Sequence, residues 1–368
     1  MVFQTTTILF FGVVAFISSI LINWLLLKFS INLGIRDNEN LNQVRWTNKT
    51  KPSLGGFSFY FVFLFCISIV GFMNNSLDIH FNKQMIGLII ASTLGFIVGL
   101  ADDTYNTNPL IKFMGQLTCA FILIVCDISI HIFDIPSLDY VITILWIIGL
   151  MNSINMLDNM DGVTASISVS VLVGIFMVGS LSEQINIVTS IVIISQICAL
   201  LGFLIYNWYP SRMYMGDTGS QFLGVFLAAI SILFIWDNKS PQENNLIQFK
   251  QLIYPMLLFI VPLIDTITVT IRRIMRKQSP FVGGRDHITH HLAYNGIKEG
   301  VVSLILFLLN SLSIILVYCL YSIDSWSNNL IFLCFIYFLF LFICIQIIYN
   351  RGKQKNEANT RTDLNVQS

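Results

Sequence analysis

The sequence predicts an all-α protein: a polytopic membrane helix bundle of about eleven transmembrane helices, N-terminus outside and C-terminus cytoplasmic. Three observations predict it. Of the 368 residues, 55% are hydrophobic and only 11% are charged, whereas a soluble domain carries about 25% charged residues. The apolar residues form continuous runs rather than alternating, and in hydrocarbon such a run must satisfy its backbone internally, as a helix does. Lys and Arg gather on one side of the runs, the asymmetry that orients membrane proteins.

Runs of roughly 17–25 apolar residues can cross a bilayer. They lie near 6–29, 54–73, 84–101, 111–127, 139–155, 162–182, 186–206, 218–236, 250–271, 299–321 and 328–349. The first, within "MVFQTTTILFFGVVAFISSILINWLLLKF", has no basic leader and no small-residue cleavage site. It is too long for a signal-peptide core and reads as an uncleaved span. The fifth is short and runs straight into the polar stretch "NSINMLDNMDG". Pro255 and Pro262 lie in the ninth and are expected to kink it. The 272–298 connection has room for a short helix, and "DISIHIFDIPSLD" alternates like a short hairpin. Residues 1–350 form one membrane domain, and 351–368 read as a polar, disordered cytoplasmic tail.

With the N-terminus outside, one face receives Lys28, Arg36, Arg45, Lys49, Lys51, Lys112, Arg212, Arg272, Arg273, Arg276, Lys277, Arg285, Lys298, Arg351, Lys353, Lys355 and Arg361. The other receives Lys83, Lys239 and Lys250. The formal net charge is zero, which suggests no nucleic-acid partner. The seven cysteines lie in or beside apolar runs and make no CxxC pair, so they read as packing residues.

Under this topology the unusual polar clusters share the cytoplasmic edge. They are "GLADD" (99–103), "NSINMLDNMDG" (152–162), "YNWYPSRMYMGDTGS" (206–220) and "GGRDHITHH" (283–291). Carboxylates beside hydrocarbon are costly and usually functional. A single Asp could be a solvated helix end, but Asp102, Asp103, Asp158, Asp161 and Asp217 together need a cation to offset their repulsion. Hard oxygen donors without a cysteine cluster favour Mg²⁺, or Mn²⁺, over zinc. Magnesium binds through one or two carboxylates plus substrate phosphates. Nearby cations (Lys112, Arg285 and the Arg272–Lys277 cluster) suit the same anionic substrate, a combination that serves phosphoryl transfer. If the fifth helix extends through its motif, Asn152, Asn155 and Asn159 share one face, with Asp158 and Asp161 as a neighbouring stripe. In "MGDTGS", glycines flank Asp217 and allow close approach of a phosphate, with helix amides to face it. The 283–291 loop gathers His287, His290 and His291, suited to a metal or to pyrophosphate.

These four motifs, in this order, resemble the polyprenyl-phosphate N-acetylhexosamine-1-phosphate transferases, relatives of the phospho-N-acetylmuramoyl-pentapeptide translocase. The resemblance runs from "KPSLGG" (51–56) to about residue 300. It implies ten or eleven spans in the bacterial cytoplasmic membrane, a cytoplasmic active site and Mg²⁺. It also implies a reaction: undecaprenyl phosphate attacks the β-phosphorus of a UDP-amino sugar and releases UMP, starting a cell-envelope polysaccharide. By this resemblance Asp102 and Asp103 look like the aspartate pair near the lipid phosphate, with Asp102 as base, and Lys112 like the lysine of the next helix. Asp217 looks like the metal ligand, with Asn155, Asp158 and Asp161 binding nucleotide and shaping the metal site. Asn207 and Tyr214 match a uridine-contacting Asn and a stacking aromatic, and His290 and His291 the end of a histidine motif. Asn152, Arg285 and His287 join the substrate-binding set. The partners implied are UDP-amino sugar, undecaprenyl phosphate and the lipid bilayer, with a homodimer as an allowed assembly.

Two departures are specific. The family's Asp-Gly-x-Asp-Gly-Leu is "DNMDGV" here, and "GGRDHITHH" lacks the tighter His-x-His-His. The latter also argues against the pentapeptide translocase, leaving a UDP-GlcNAc-type donor as the leading expectation and that translocase as the runner-up. A transporter is the rival class. It predicts polar groups at mid-membrane, of which Asp265 is the one candidate, read equally as a cleft residue or a packing hydrogen-bond partner.

Overall fold

Thirteen α-helices and no strand occur among the described residues of the computed structural model, which are 2–32, 51–72, 82–133, 135–236, 249–279, 284–323 and 326–367. We number the helices α1 (Val2–Asn32), α2 (Gly55–Phe72), α3 (Lys83–Tyr105), α4 (Pro109–Val125), α5 (Pro136–Leu157), α6 (Val163–Leu181) and α7 (Ile187–Asn207). There follow α8 (Gly216–Ser231), prolonged by the π-helical turn Ile232–Trp236, α9 (Phe249–Leu258), α10 (Ile260–Met275), α11 (Ile288–Tyr294), α12 (Glu299–Tyr321) and α13 (Asn328–Gln367).

Nine of these elements are long and apolar enough to cross a membrane. Against the eleven spans expected, the bent pair α9–α10 makes a tenth if it counts as one, and α4 is a shorter apolar helix of 17 residues. The protein is thus a multi-pass helical membrane protein. The fifth span is a full helix of 22 residues, because Pro136 starts it earlier than the apolar run suggests.

The central post is α8 with its π turn, 94% buried along its most apolar stretch, whereas α13 is only 17% buried there. In a bilayer the outermost helices need no protein cover, since lipid tails are as apolar as Leu. Around the post stand α2, α3 and α5; α1 packs on α7, and α6 on α12.

Local chemistry sets the ends of the helices near the site. Asn106 takes the left-handed conformation that closes α3 (φ 49°), Asn108 caps α4 by accepting Leu110 N–H, and Pro109 occupies the first turn. This turn brings the end of α3 against the start of α4. At the ninth span the chain bends by 85° between α9 and α10. Pro262 has no N–H to give the Leu258 carbonyl, and the buried Asn310 amide of α12 bonds that carbonyl instead at 3.3 Å. The kink is therefore built in, as the prolines suggest.

Two expectations are corrected. Among the described residues of 127–139 there is no hairpin: Asp139 accepts Ile132 N–H and Phe133 N–H, and Thr143 Oγ1 accepts Ile130 N–H, so residues 130–133 are folded back onto α5. The segment 351–367, expected as a structureless tail, continues α13 as helix; its Lys, Glu, Gln and Arg residues are good helix formers. The short helix expected within 272–298 is α11. Arg36, Arg45, Lys49, Lys239 and Gly283, used in the reading above, lie outside the described residues.

Candidate active site

Four helices meet on one cation at the end of the bundle. Lys112 Nζ of α4 lies 2.6 Å from Asp102 Oδ2 of α3, 3.0 Å from Asp217 Oδ2 of α8 and 3.2 Å from Asn155 Oδ1 of α5. Asn155 turns its amide the other way, donating to Asp217 Oδ1 at 2.7 Å and to Ser220 Oγ at 2.9 Å. Thr107 donates N–H and Oγ1–H to Asp102 Oδ1. Every oxygen of the two carboxylates is thus aimed, and the lysine offsets two negative charges that would otherwise repel.

Successive residues on a helix point about 100° apart, so Asp103 does something different from Asp102. Its carboxylate accepts Asp217 N–H (3.1 Å), Thr218 N–H (2.8 Å) and Thr218 Oγ1–H (2.6 Å). A side chain of α3 thereby caps the first turn of α8, where unsatisfied N–H groups favour a negative charge. Two glycines make the approach possible. Gly216 has φ +77°, and a Cβ there would lie 2.8 Å from Asp103 Oδ2. A Cβ on Gly99 would lie 2.1 Å from the Asp217 carbonyl oxygen.

The 152–162 motif is not one continuous helix. It stops at Leu157, with Asp158 at the C-cap and Gly162 at φ +75°; Asn, Asp and Gly favour such turns. The expected stripe of Asp158 and Asp161 therefore does not form, and Asn159 leaves the face of Asn152 and Asn155. Asn152 pairs with Gln116 in both directions (3.0 and 3.2 Å), and Gln116 in turn donates to Gln221 Oε1 at 3.0 Å. This buried amide chain ties α5, α4 and α8 beneath the lysine. Asp158 stands near Asp217, Asp103 and Asp161; burial first, and those charges second, push its carboxyl up to about 7. Asp161 turns away to accept Ser211 N–H (2.8 Å) and Ser211 Oγ–H (2.7 Å), with Lys51 Nζ at 3.4 Å.

Asn207 and Tyr214 are placed by the same connection. Asn207 is buried, accepts Gly162 N–H at 3.1 Å and donates to the Met213 carbonyl at 3.0 Å. Its amide staples the 159–162 turn to the 208–215 loop. Tyr214 lies under Lys51, whose Nζ is 5.0 Å from the ring centre, and its backbone pairs with Pro52 and Gly55.

The histidines reach the site through α11. Thr289 Oγ1 donates a short hydrogen bond to Asn159 Oδ1, joining this helix to the 152–162 motif. His287 and His290 lie edge to face at 5.7 Å. His291 points elsewhere: its ring packs against Tyr349 of α13 at 4.2 Å, so it is not brought together with the carboxylates. Burial, then the neighbouring His287, holds His290 down at about 3; burial, then Arg272, holds His291 down at about 4. Arg285 lies in this loop, exposed. Beside it Asp286 takes a two-pronged hold on Arg273 (2.6 and 3.0 Å). Burial would raise the Asp286 carboxyl, but Arg273 outweighs it and holds it below its ordinary value.

Sequence reasoning left Gln116, Gln221, Ser211, Thr218 and Thr289 without a role. The glutamines carried a signal, a lone amide in each apolar run; the hydroxyls carried none. Among the described residues no three His, Cys, Asp or Glu side chains form a metal cage. A hard cation here would be held by one or two carboxylates and otherwise by a bound phosphate.

Fold and site together define a multi-pass membrane enzyme whose charged centre lies at one end of the helix bundle. The family model described as Glycosyl transferase family 4 matches residues 85–235. A Bacillus subtilis (strain 168) protein named "Probable undecaprenyl-phosphate N-acetylglucosaminyl 1-phosphate transferase" is 28% identical over 348 residues, 91% of each chain. A Mycobacterium leprae decaprenyl-phosphate N-acetylglucosaminephosphotransferase is 26% identical over 70% of each chain. A Staphylococcus epidermidis phospho-N-acetylmuramoyl-pentapeptide-transferase is 31% identical over 67% of this chain and 78% of its own. The chain belongs to glycosyl transferase family 4, and its clustered charges belong to a transferase, not a transporter.

Proposed function

We propose that this protein transfers N-acetylglucosamine 1-phosphate from UDP-N-acetylglucosamine to undecaprenyl phosphate, releasing UMP and starting a cell-envelope polysaccharide. The observation that carries this reading is the meeting of Asp102, Lys112, Asn155 and Asp217 from four helices around one ammonium group. The 91% coverage of the Bacillus subtilis relative supports the choice of donor and acceptor.

In this reading an oxygen of the lipid phosphate attacks the β-phosphorus of the nucleotide sugar, and the bond to UMP breaks. Asp102 accepts the proton of the lipid phosphate and holds Lys112, which neutralises negative charge as it moves to the leaving phosphate. Asn155 orients Asp217, and Asp103 fixes the backbone from which Asp217 projects. Asp217 and Asp158 would hold Mg²⁺ or Mn²⁺, which supplies further charge neutralisation at the phosphates. Arg285, His287 and His290 offer donors to the diphosphate, and the 207–214 loop shapes the nucleoside side. The exposed face of α10 (Ile267, Ile271, Ile274 and Met275) gives the polyprenyl chain an apolar path from the bilayer. The enzyme works in the bacterial cytoplasmic membrane with this end in the cytoplasm.

The test is UMP release by purified protein supplied with undecaprenyl phosphate, Mg²⁺ and a panel of UDP-sugars, beside Asp217→Asn and a chelator control. Release with UDP-N-acetylglucosamine that needs lipid, metal and Asp217 supports the proposal. The 31% identity to the Staphylococcus epidermidis relative favours one second reading. Release confined to UDP-N-acetylmuramoyl-pentapeptide would establish that one instead.

A further inference from the structure

We propose that Asp265 is the positioning residue for His287, fixing which ring nitrogen carries the proton and which faces the substrate. Resting on the transfer reading above, this gives His287 the task of donating to a phosphate oxygen of the nucleotide sugar.

Asp265 lies in α10 and is 1% exposed, and His287 is 5% exposed. Asp265 Oδ2 is 2.8 Å from His287 Nδ1, and Asp265 Oδ1 accepts the Ile288 N–H at 2.8 Å. One carboxylate therefore grips both the ring and the backbone beside it, and the ring cannot rotate without breaking one of two bonds. A carboxylate accepts and does not donate, so Nδ1 carries the proton and Nε2 is left for another partner. A histidine held this way by a carboxylate takes up and hands on a proton at Nε2 in other enzymes. An imidazolium Nε2–H is a charge-assisted donor suited to a phosphate oxygen. The placement is also right: Thr289, two residues on, bonds Asn159 beside Asp158. A burial cost this large needs a return, since an acid deep among apolar helices is expensive unless fully paired.

A plain anchoring role is the competing explanation, and Asp286 supplies its control. The Asp286–Arg273 fork (2.6 and 3.0 Å) ties the same loop to the same helix without touching the His287 ring. The experiment uses full-length protein in nanodiscs with ¹⁵N-histidine, resonances assigned by single His→Gln variants. Wild-type His287 is expected to keep Nδ1 protonated from pH 6 to 9, a reading made on the wild-type protein itself. Asp265→Asn, which turns an N–H toward Nδ1, is expected to move the proton to Nε2. It is also expected to lower kcat for UMP release by about 10²-fold with KM for the UDP-sugar within about twofold. Asp286→Asn is expected to leave the His287 spectrum as in wild type. An unprotonated Nδ1 in wild type overturns the proposal. So does an Asp265→Asn protein with an unmoved tautomer, or one whose kcat matches wild type. Failure of the transfer reading has a different signature: no UMP from wild type with any donor, whatever the spectrum shows.

Discussion

Lys112 is the residue on which the charge balance of the site turns. Lys112→Met leaves Asp102 and Asp217 facing one another without their ammonium, and removing one such donor typically costs 10²–10³ in turnover. We expect a loss of at least about 10²-fold in kcat, measured by UMP release in nanodiscs, with Lys112→Arg recovering part of it. Full activity in Lys112→Met would sink the proposed role. Asp103 differs from its neighbour because it caps α8. Asp103→Ala is expected to cost about 1–2 kcal/mol of stability, read from a denaturant series in detergent. Asp103→Asn, which keeps one acceptor, should cost less; equal stability of all three proteins would rule out the capping role.

At the scale of elements, α11 is held by neutral, buried histidines. His290 and His291 are held down at about 3 and about 4 by burial, against an ordinary value of 6.5. The released helix then binds more protons than the docked one between those values, so docking is strongest above pH 6.5 and weakens as pH falls. Hydrogen exchange of amides 288–294, corrected for intrinsic rates, should accelerate on going from pH 7 to pH 5. The slope should flatten in a His290→Gln/His291→Gln protein, and a slope unchanged by that double substitution would show that other groups govern the docking. The start of α8 is equally demanding in a steric way. Gly216→Ala places a Cβ 2.8 Å from both Asp103 Oδ2 and the Ser53 carbonyl, on a residue at φ +77°. We expect it to abolish turnover while leaving the helix content by circular dichroism near wild type.

For the whole molecule the question is which end faces which side. By the positive-inside rule the seventeen-to-three distribution of Lys and Arg predicts that the carboxylate end faces the cytoplasm. In intact cells, an impermeant maleimide should label Lys83→Cys and not Lys298→Cys, in a background with the exposed Cys319 replaced. The reverse pattern would invert the topology and separate the site from a cytoplasmic nucleotide sugar.

The sequence by itself determined the helical membrane class, the kink near Pro262 and the four polar segments of the site. All of these are local properties: apolar run length, a missing N–H, and charge beside hydrocarbon each act within a few residues. Only the tertiary structure decided what each polar side chain does. Asp102 and Asp103 are adjacent in sequence, yet one holds Lys112 and the other caps α8. Asp158 and Asp161 are three residues apart, yet the helix ends before them at Leu157, and Asp161 is spent on Ser211 and Lys51. Asp265 could be read equally as a cleft residue or a packing residue until His287, 22 positions away, was seen against it. The reason is physical: a hydrogen bond is directional and reaches about 3 Å, and which groups come within that reach is set by how distant helices pack.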